Sequence, residues 1–249
     1  MSFSVILPTL NENDHIIKLI KEISSIFKLQ KKEFEIIIVD DNSSDGTYET
    51  VKNFQIDKAY LKVILRKNKK KNLAESINDG IEASKFDNII WLDADFQHPP
   101  KYINDFIEKS KNYEVIISSR FLKESDRYFN DPHLKKEINE NQSYFFNKLC
   151  RNFLFADITD YTSGFICVKK KFFRNYKLSG YYGDYFVNMI VKFKEKKITI
   201  LEIPFKDDLR ASGKSKTVIN VNIKYIYTCL RYFITLLKSF VQSKFNKYK

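Results

Sequence analysis

The sequence contains little glycine or proline, with six and five residues respectively among 249. Collagen-like, linker-rich and low-complexity chains need much more of both, so these classes are excluded. Cysteine is also scarce, and Cys150, Cys167 and Cys229 are too far apart to suggest a disulfide framework or a metal cluster. We therefore expect a compact chain whose three cysteines are reduced packing residues.

Long apolar runs are missing as well. No segment supplies the roughly 18 uninterrupted apolar residues of a membrane-spanning helix. Residues 1–8 lack the basic start and small-residue cleavage site of a signal peptide, and instead predict a first strand. The expectation is a cytoplasmic protein, soluble or associated peripherally with the cytoplasmic face of a membrane.

The charge is unbalanced in favour of cations. Lysine and arginine number 43 against 31 aspartates and glutamates, which leaves a formal net charge of +12. Such a charge favours anionic partners, namely nucleic acid, nucleotides or acidic lipid headgroups. Because no helix-turn-helix, zinc-finger or RNP pattern is present, nucleic acid is not an expected partner.

Apolar runs alternate with amphipathic stretches through the first hundred residues. The runs 35–39 and 88–92 are largely apolar on both faces, as strands buried between helices in a parallel sheet must be. The pattern predicts an α/β fold with a doubly wound, mostly parallel sheet that binds ligands at the carboxyl ends of its strands. Further along, it predicts helices near 135–153 and 184–194 and strands near 165–168 and 198–203.

The segment after the strand at 88–92 carries the strongest chemical signal. If the chain stays extended there, alternation places Asp93, Asp95 and Gln97 on one side. Three hard oxygen donors around an open position suit Mg²⁺ or Mn²⁺, which would bridge the two phosphates of a nucleotide diphosphate sugar. The alternative for this Asp-x-Asp pair is a solvated turn.

The first two predicted strands also end in polar loops. A carboxylate at the end of a buried strand, such as Asp40, can accept the ring N–H donors of a nucleobase. Ser43 and Asp45 follow it and are expected to cap the next helix. Of the histidines, we predict that His15 is a surface helix residue and that His98 is a loop residue beside the metal.

These loops resemble the motifs of family 2 glycosyltransferases, and within that family the dolichol-phosphate (polyprenol-phosphate) mannose synthase branch. The resemblance extends from about residue 4 to residue 216. It rests on Pro8-Thr9-x-Asn11-Glu12, Asp40-Asp41-x-Ser43-x-Asp45-Gly46-Thr47, Asn72-Leu73-Ala74-Glu75-Ser76, Asp79-Gly80-Ile81, Asp93-Ala94-Asp95-Phe96-Gln97-His98-Pro99-Pro100, Ser119-Arg120, Thr162-Ser163-Gly164-Phe165, Ile203-Pro204 and Arg210-x-x-Gly213-x-Ser215-Lys216.

The resemblance implies a GT-A fold and a role for particular residues. The implied metal ligands are Asp93, Asp95 and Gln97. The implied nucleotide-sugar pocket consists of Pro8, Thr9, Glu12, Asp40, Asp41, Asp93, Ala94 and Ser215. Catalytic roles, mainly contacts to phosphate groups, are implied for Asp95, Arg120, Arg210 and Lys216. An ordinary surface ion pair is the alternative for Arg120, and Asn72 stands where a glycine is usual.

The implied reaction is the inverting transfer of a hexose from a nucleotide diphosphate sugar to polyprenol or dolichol phosphate at a membrane surface. GDP-mannose is the first expected donor and a UDP-hexose the second, with Mg²⁺ or Mn²⁺ as the cofactor. A polysaccharide or protein acceptor is the alternative within the same family. An inactive nucleotide-sugar-binding scaffold is the remote alternative.

The expected domain boundary follows residue 216. Residues 1–216 form the predicted glycosyltransferase domain, and residues 217–249 a helical tail with an apolar stripe and interspersed basic residues. Such a helix is expected to lie in the interface of an anionic membrane. Packing of the whole tail on its own domain is the alternative.

Overall fold

A computed structural model describes residues 1–55, 59–125, 138–180, 183–206 and 231–241 of the chain. Within these ranges the strands are β1 (Ser2–Thr9), β2 (Glu33–Asp40), β3 (Leu61–Leu65), β4 (Asn88–Trp91), β5 (Val115–Ser119), β6 (Ile166–Lys169) and β7 (Leu201–Pro204). They form one seven-stranded sheet of order β3-β2-β1-β4-β6-β5-β7. Only β6 runs antiparallel to its neighbours, β4 and β5. The predicted α/β fold with a mostly parallel sheet is confirmed.

Helices cover both faces of the sheet. They are α1 (Ile16–Leu29), α2 (Thr47–Gln55), α3 (Leu73–Ala83), α4 (Ile103–Lys109), α5 (Ile138–Phe153), α6 (Asp184–Glu195) and α7, the helical residues 231–241. Buried residues of α1, α2 and α4 belong to one apolar cluster, and those of α3, α5, α6 and α7 to a second. In the described ranges, no helix combines the length and apolar character needed to cross a membrane.

The interior strand β2 shows why the sheet separates two cores. Ile36 and Ile38 point into the cluster with α1, whereas Ile37 and Val39 point into the cluster with α3 and α6. Successive side chains of a strand point to opposite faces, so a strand covered on both sides must be apolar at consecutive positions. The uninterrupted apolar run in the sequence is therefore the direct result of burial on both faces.

The second half of the chain differs from the sequence prediction in its boundaries. α6 ends at Glu195, and the chain then turns at Lys197, whose φ is 57°. The amide of Ile198 donates to the carbonyl of Phe193 and completes this turn. Residues 198–200 therefore connect α6 to the sheet, and β7 begins only at Leu201, three residues later than predicted.

α3 packs unusually close to the central strand β1 because of one glycine. Gly80 lies inside α3, and a Cβ atom placed on it would lie 2.4 Å from Cγ2 of Ile6 in β1. Ile6 is fully buried and its strand is hydrogen-bonded on both sides, so it has little room to move. A hydrogen at this position is thus what allows the helix to lie against the strand.

We predict that Gly80→Ala destabilises the protein by about 1–3 kcal/mol, because the added methyl overpacks a close contact. The sign of this change in the free energy of unfolding is informative, since alanine in a helix interior is otherwise favoured over glycine by about 1 kcal/mol. Glu82→Ala, at an exposed position of the same helix, is the control and should leave the free energy of unfolding nearly unchanged. Urea denaturation measures both, and a stabilised Gly80→Ala variant would contradict the packing argument.

Candidate active site

The polar loops predicted from the sequence meet at one edge of the sheet. β1 lies between β2 and β4 and is parallel to both, with Thr9 opposite Asp40 and Ile6 opposite Trp91. The carboxyl ends of these three strands therefore deliver the Pro8-Thr9, Asp40-Asp41 and Asp93-Ala94-Asp95 segments to neighbouring positions. This is the edge at which ligands of open parallel sheets bind.

Asp40 is fully buried at the end of β2 and organises the loop that follows it. Its Oδ1 accepts the amide of Ser43 at 2.9 Å, and its Oδ2 accepts the hydroxyls of Ser43 at 2.6 Å and Thr9 at 3.0 Å. The expectation that Ser43 caps α2 is therefore wrong, because its hydroxyl is committed to Asp40. The buried carboxylate instead fixes the ends of β1 and β2 relative to each other.

The loops after β1 and β2 are joined by further hydrogen bonds. The amide of Asn11 donates to Oγ of Ser43 at 2.8 Å, and the amide of Glu12 donates to Oγ1 of Thr47 at 2.9 Å. Asp45 accepts the amide of Thr47, the first residue of α2, and also the amide of Asn13, both at 3.0 Å. Asp45 thus satisfies an amide at the start of α2, as predicted, and also connects the two loops.

Asp41 and Arg66 form a buried ion pair that the sequence analysis missed. Its Oδ1 contacts Nη1 of Arg66, whose side chain is 1% exposed, and its Oδ2 accepts the amide of Asn72 at 2.7 Å. Arg66 also pairs with Glu75 at 2.6 Å and Asp79 at 2.9 Å. Burial raises the pKa of Asp41, and Asn72 and Arg66 oppose that shift. Because Arg66 directly follows β3, its position at a strand end could have indicated a role beside the other strand-end residues.

The side chain of Asn72 connects two segments of the structure. Its Oδ1 accepts the amide of Glu75 at 3.1 Å and so caps α3, while its Nδ2 donates to the carbonyl of Gly180 at 3.1 Å. Its backbone is extended, with φ of −159°. The side chain therefore connects the base of the Asp41 loop to the segment that leads into α6.

The segment after β4 does not stay extended as the alternation argument assumed. The strand ends at Trp91, the chain turns at Ala94 and Asp95, and Phe96 adopts a φ of 66°. The amide of Gln97 donates to Oδ1 of Asp95 at 3.0 Å, which closes this turn. Asp95 is only 4% exposed, so this member of the pair is not solvated, whereas Asp93 is partly exposed.

The acidic side chains of this turn fit a divalent cation whose remaining ligands come from a substrate. Within the part of the chain that the structure describes, no group of three or more His, Cys, Asp or Glu side chains is arranged to hold a metal. Mg²⁺ usually takes one or two carboxylates together with substrate phosphates and water. Asp93 and Asp95, together with the side-chain oxygen of Gln97, would supply that smaller set of ligands.

Two histidines hold the turn in place. Nε2 of His15 lies 2.8 Å from the carbonyl of Ala94 and 3.2 Å from Oε2 of Glu12. The prediction that His15 is a surface residue is wrong, because it is 6% exposed and joins the β1 loop to the β4 turn. Nδ1 of His98 accepts the amide of Asp93 at 3.0 Å, so that nitrogen carries no proton.

Arg120 directly follows β5. Because β6 is antiparallel to both β4 and β5, these two strands run in the same direction, and Arg120 lies at the same edge of the sheet as the β4 turn. Its Nε and Nη2 form a bidentate pair with Asp160 at 2.8 and 2.9 Å, and Nη2 also donates to Thr162 at 2.9 Å. Although burial opposes ionisation, the Arg120 charge lowers the pKa of Asp160. Arg120 therefore forms an ion pair, but with its side chain only 15% exposed and Asp160 fully buried this is not the ordinary surface pair of the alternative.

Glu202 of β7 supports this pair from behind. Its carboxylate accepts the amides of Thr159 at 2.8 Å and Asp160 at 3.0 Å and so fixes the segment that carries Asp160. Burial raises the pKa of Glu202 to about 7, against the effect of these hydrogen bonds. No local sequence pattern indicated a role for Glu202, because its partners come from a distant part of the chain.

Two tyrosines, also missed from the sequence, lie beside the acidic turn. The hydroxyl of Tyr185 in α6 accepts Nε1 of Trp91 at 3.0 Å, and burial together with the Asp93 charge raises its pKa well above the ordinary value. The pKa of Tyr232 in α7 is raised by burial and by the charge of Asp184, with smaller influences from Arg120 and Asp93. The Tyr232 hydroxyl itself lies against the start of α6, since a Cβ atom on Gly183 would be 2.4 Å from its oxygen.

Not every predicted residue can be placed. Ser215, Arg210 and Lys216 lie outside the described residues, as does most of the predicted tail. The structure brings together Pro8, Thr9, Glu12, Asp40, Asp41, Asp93, Ala94, Asp95 and Gln97 around three adjacent strand ends, with Arg120 two strands away on the same edge.

Proteins of known fold share this architecture. Glucosyl-3-phosphoglycerate synthase from Mycobacterium tuberculosis, crystallised with Mn²⁺, UDP and glucosyl-3-phosphoglycerate, matches with a TM-score of 0.69 at 14% identity over 96% of this chain and 79% of that one. The same enzyme with Mg²⁺ and UDP gives a TM-score of 0.70 at 15% identity over 96% and 79% of the two chains. At this identity the likeness establishes the fold alone.

Sequence relatives are more specific. A dolichol-phosphate mannosyltransferase from Pyrococcus furiosus is 30% identical over 239 residues, which are 96% of this chain but only 64% of that protein. The dolichol-phosphate mannosyltransferase of Saccharomyces cerevisiae is 25% identical over 91% of this chain and 85% of its own length. The family model described as glycosyl transferase family 2 matches residues 4–177, which is more than half of the chain. The protein therefore belongs to glycosyl transferase family 2.

Proposed function

We propose that this protein transfers a hexose, with mannose as the first candidate, from a nucleotide diphosphate sugar to polyprenol or dolichol phosphate. The observation that supports the proposal is that the Asp40 loop and the Asp93-Ala94-Asp95 turn follow the two strands on either side of β1, at the same edge of the sheet. A pocket for a nucleoside and a pair of carboxylates for a metal diphosphate thus lie side by side. The names of the sequence relatives support the choice of sugar and acceptor.

The donor is assigned to the loops after β1, β2 and β4. The nucleoside is placed against Pro8, Thr9 and Glu12 and the end of β2 at Asp40. Mg²⁺ or Mn²⁺ is assigned to Asp93, Asp95 and Gln97, and when bound it would neutralise the charge that develops on the departing diphosphate. The Asp41–Arg66 pair fixes the shape of this pocket from below, because the oxygens of Asp41 are directed to Arg66 and Asn72.

The acceptor chemistry fits the absence of a histidine base at the described part of the site. A phosphate monoester arrives already anionic, so its oxygen attacks the anomeric carbon without prior removal of a proton. His98 already accepts the Asp93 amide through Nδ1, and Nε2 of His15 is engaged with Ala94 and Glu12. The task left to the protein is to align the phosphate with the donor, and a single displacement inverts the anomeric centre.

Basic residues are assigned to the phosphates of both substrates. Arg120 is held in a fixed orientation by Asp160 and Thr162, which suits a guanidinium that must receive an oxyanion without rearranging. Arg210 and Lys216, and Ser215 between them, are assigned to the diphosphate from the sequence motif. The described geometry supports only the Arg120 assignment.

A membrane-facing surface is assigned to α5 and α7. Thr235, Leu236 and Ser239 of α7 are buried against the domain, whereas Phe233, Leu237 and Val241 are 48–49% exposed on its other side. On α5, Phe145 and Phe153 are 62% and 50% exposed, and Phe153 contacts Phe240 of α7 with ring centroids 5.8 Å apart. One side of α7 therefore packs on the domain, and the other side is apolar and exposed.

Basic residues border this apolar surface. Lys148 and Lys238 are exposed on the two helices that carry it. An apolar face with lysines at its border suits an interface rich in anionic headgroups, where each cation contributes about 1 kcal/mol. Attachment of the domain in this way at the cytoplasmic face of a membrane would present the active edge to a lipid-linked phosphate.

The proposal is tested by incubating the protein with radiolabelled donors, Mn²⁺ or Mg²⁺ and a set of acceptors. We expect GDP-mannose to label dolichyl or undecaprenyl phosphate and to leave the unphosphorylated alcohol unlabelled. Labelling from UDP-glucose instead would change the donor assignment. Transfer only to oligosaccharide or protein would overturn the acceptor, and the absence of both transfer and donor hydrolysis would indicate an inactive scaffold.

Asp95→Asn tests the metal assignment. Asparagine keeps the oxygen that accepts the Gln97 amide but is a weaker ligand, so we expect the fold to persist and transfer to fall by at least about 100-fold. Asp87→Asn, an identical change at an exposed position before β4, is the control. Wild-type turnover in Asp95→Asn, or full activity in excess chelator, would refute the assignment.

The surface of α5 and α7 is tested by Phe233→Ser combined with Leu237→Ser. Both side chains are about half exposed, so the fold should tolerate their loss. We expect binding to anionic vesicles to weaken at least about fivefold, because apolar area no longer enters the interface, while GDP-mannose affinity stays constant.

The matched control replaces exposed apolar residues elsewhere, Leu29→Ser with Tyr113→Ser. Vesicle co-sedimentation and fluorescence titration of the nucleotide measure the two effects separately. Equal vesicle binding by the α7 variant and the wild type would show that this surface does not bind the membrane.

A further inference from the structure

Glu202 is a carboxylate in the otherwise apolar strand β7. The residues on either side of it, Leu201 and Ile203, pack in the apolar cluster that contains α1. Because successive side chains of a strand alternate between faces, Glu202 points to the opposite face, as does its partner in β5, the fully buried Ile117. A carboxylate in apolar surroundings costs free energy unless hydrogen bonds compensate it, so stability alone does not explain a glutamate at this position.

Three hydrogen bonds from two consecutive residues converge on this carboxylate. Its Oε2 accepts the amide of Thr159 at 2.8 Å, and its Oε1 accepts the amide of Asp160 and the hydroxyl of Thr159, both at 3.0 Å. Residues 154–165 connect α5 to β6 without a helix or strand of their own. The position of segment 159–160 is therefore set by a side chain of the sheet, which parallel pairing with β5 holds in place.

The same two residues hold Arg120 from two directions. Asp160 accepts its Nε at 2.8 Å, its Nη2 at 2.9 Å and its backbone amide at 3.2 Å. The Thr159 hydroxyl, whose proton is donated to β7, accepts that of Ser119 at 2.6 Å, and Ser119 in turn accepts the amide of Phe121 at 3.1 Å. Both the guanidinium and the backbone on either side of Arg120 are thus tied to the segment that β7 holds.

We propose that Glu202 is a positioning residue for the acceptor: through segment 159–160 it orients Arg120 toward the phosphate of the lipid. The inference rests on the proposed function, in which Arg120 contacts a substrate phosphate. Because Arg210 and Lys216 are assigned to the diphosphate of the donor, the phosphate left for Arg120 is that of the acceptor.

Glu202 acts through orientation, because Asp160 lies between it and Arg120. Asp160 is fully buried, whereas the Arg120 side chain is 15% exposed, so the guanidinium is the group of this series that a phosphate can reach. A guanidinium that is already oriented receives an oxyanion with little further loss of conformational freedom, and this strengthens binding. Without Glu202 the ion pair remains, but the backbone that carries Asp160 can shift.

The donor loops are held by a separate set of contacts. The Thr9 hydroxyl donates to Asp40 at 3.0 Å, and the Asn11 amide donates to Ser43 at 2.8 Å. These contacts join the loops after β1 and β2, which are separated from β5 and β7 in the sheet by β4 and β6. Loss of Glu202 is therefore expected to weaken acceptor binding and to leave nucleotide binding unchanged.

Glu202→Gln tests this expectation in steady-state transfer from GDP-mannose to dolichyl phosphate. Glutamine has one acceptor oxygen where glutamate has two, so its NH₂ group faces one of the donors listed above. We expect the KM for dolichyl phosphate to rise at least about fivefold and the KM for GDP-mannose to stay within about twofold. Assays at about pH 8 keep the wild-type carboxylate mainly ionised, since burial raises its pKa to about 7.

The matched control is Glu35→Gln. Glu35 is also a strand glutamate that accepts a hydroxyl and an amide, those of Ser4 and Lys85, but it lies in β2 toward the amino ends of the strands. An identical change there should leave both KM values like those of the wild type. Equal changes in the two variants, or a donor KM that rises as much as the acceptor KM, would assign Glu202 to general stability and overturn the proposal.

NMR of the full-length protein without substrates supplies a readout that does not depend on transfer. The Nε–H resonance of Arg120, assigned by its absence in Arg120→Lys, reports how firmly the guanidinium is held. We expect solvent exchange at least about tenfold faster in Glu202→Gln and unchanged in Glu35→Gln. Unchanged exchange in Glu202→Gln would overturn the proposal, whereas a wild type that labels no lipid phosphate would instead refute the proposed function.

Two further variants test the route of the effect. If Glu202 acts through Asp160, adding Glu202→Gln to Asp160→Asn should raise the acceptor KM no further, and additive losses would contradict the route. Thr159→Val removes the hydroxyl that β7 and Ser119 share while both amides remain, and should produce a smaller shift in the same direction. Should Glu202→Gln fail to fold, Thr159→Val decides, because an unchanged acceptor KM and unchanged Arg120 exchange in it would overturn the proposal.

Discussion

The parallel pairing of β1 with both β2 and β4 is the constraint on which the rest of the site depends. This register brings three strand ends to one edge, and it places Thr9 directly opposite Asp40. Every local interaction at the site then follows from that proximity, including the Thr9–Asp40 hydrogen bond and the contact of His15 with Ala94. Gly80 contributes from the other side, because it lets α3 approach the central strand closely.

Buried charges at this edge are satisfied before any substrate arrives. Asp41 is neutralised by Arg66, and Asp160 by Arg120, so the cost of removing these groups from water is offset by paired charges and hydrogen bonds. Glu202 adds a third buried carboxyl behind the second pair. Removing one member of a pair would leave the other as an uncompensated buried charge, which costs free energy. The pairs therefore stay formed and hold their loops in fixed positions. Rigid, oriented groups are what electrostatic stabilisation of a transition state requires.

The contact between α6 and α7 connects this edge to the outer surface of the domain. A Cβ on Gly183 would lie 2.4 Å from the Tyr232 hydroxyl, so the phenol rests directly on the backbone that begins α6. Asn188 of α6 donates to Ser179, and its Oδ1 lies 3.4 Å from the Ser239 hydroxyl of α7. The same helix that presents Phe233 and Leu237 outward therefore packs Tyr232 against the start of α6.

The sequence by itself determined the α/β class, the strand ends that carry the site and the Asp93-Ala94-Asp95 segment, because burial on two faces forces continuous apolar strands and leaves polar residues only where strands end. It could not place Arg66, Asp160, Glu202 or Tyr232, whose partners are distant in the chain and carry no local pattern. It also misjudged His15 and Ser43, since a polar side chain near a helix start has several available partners. Only the tertiary structure decided among these, because strand pairing selects which distant groups come within hydrogen-bonding distance.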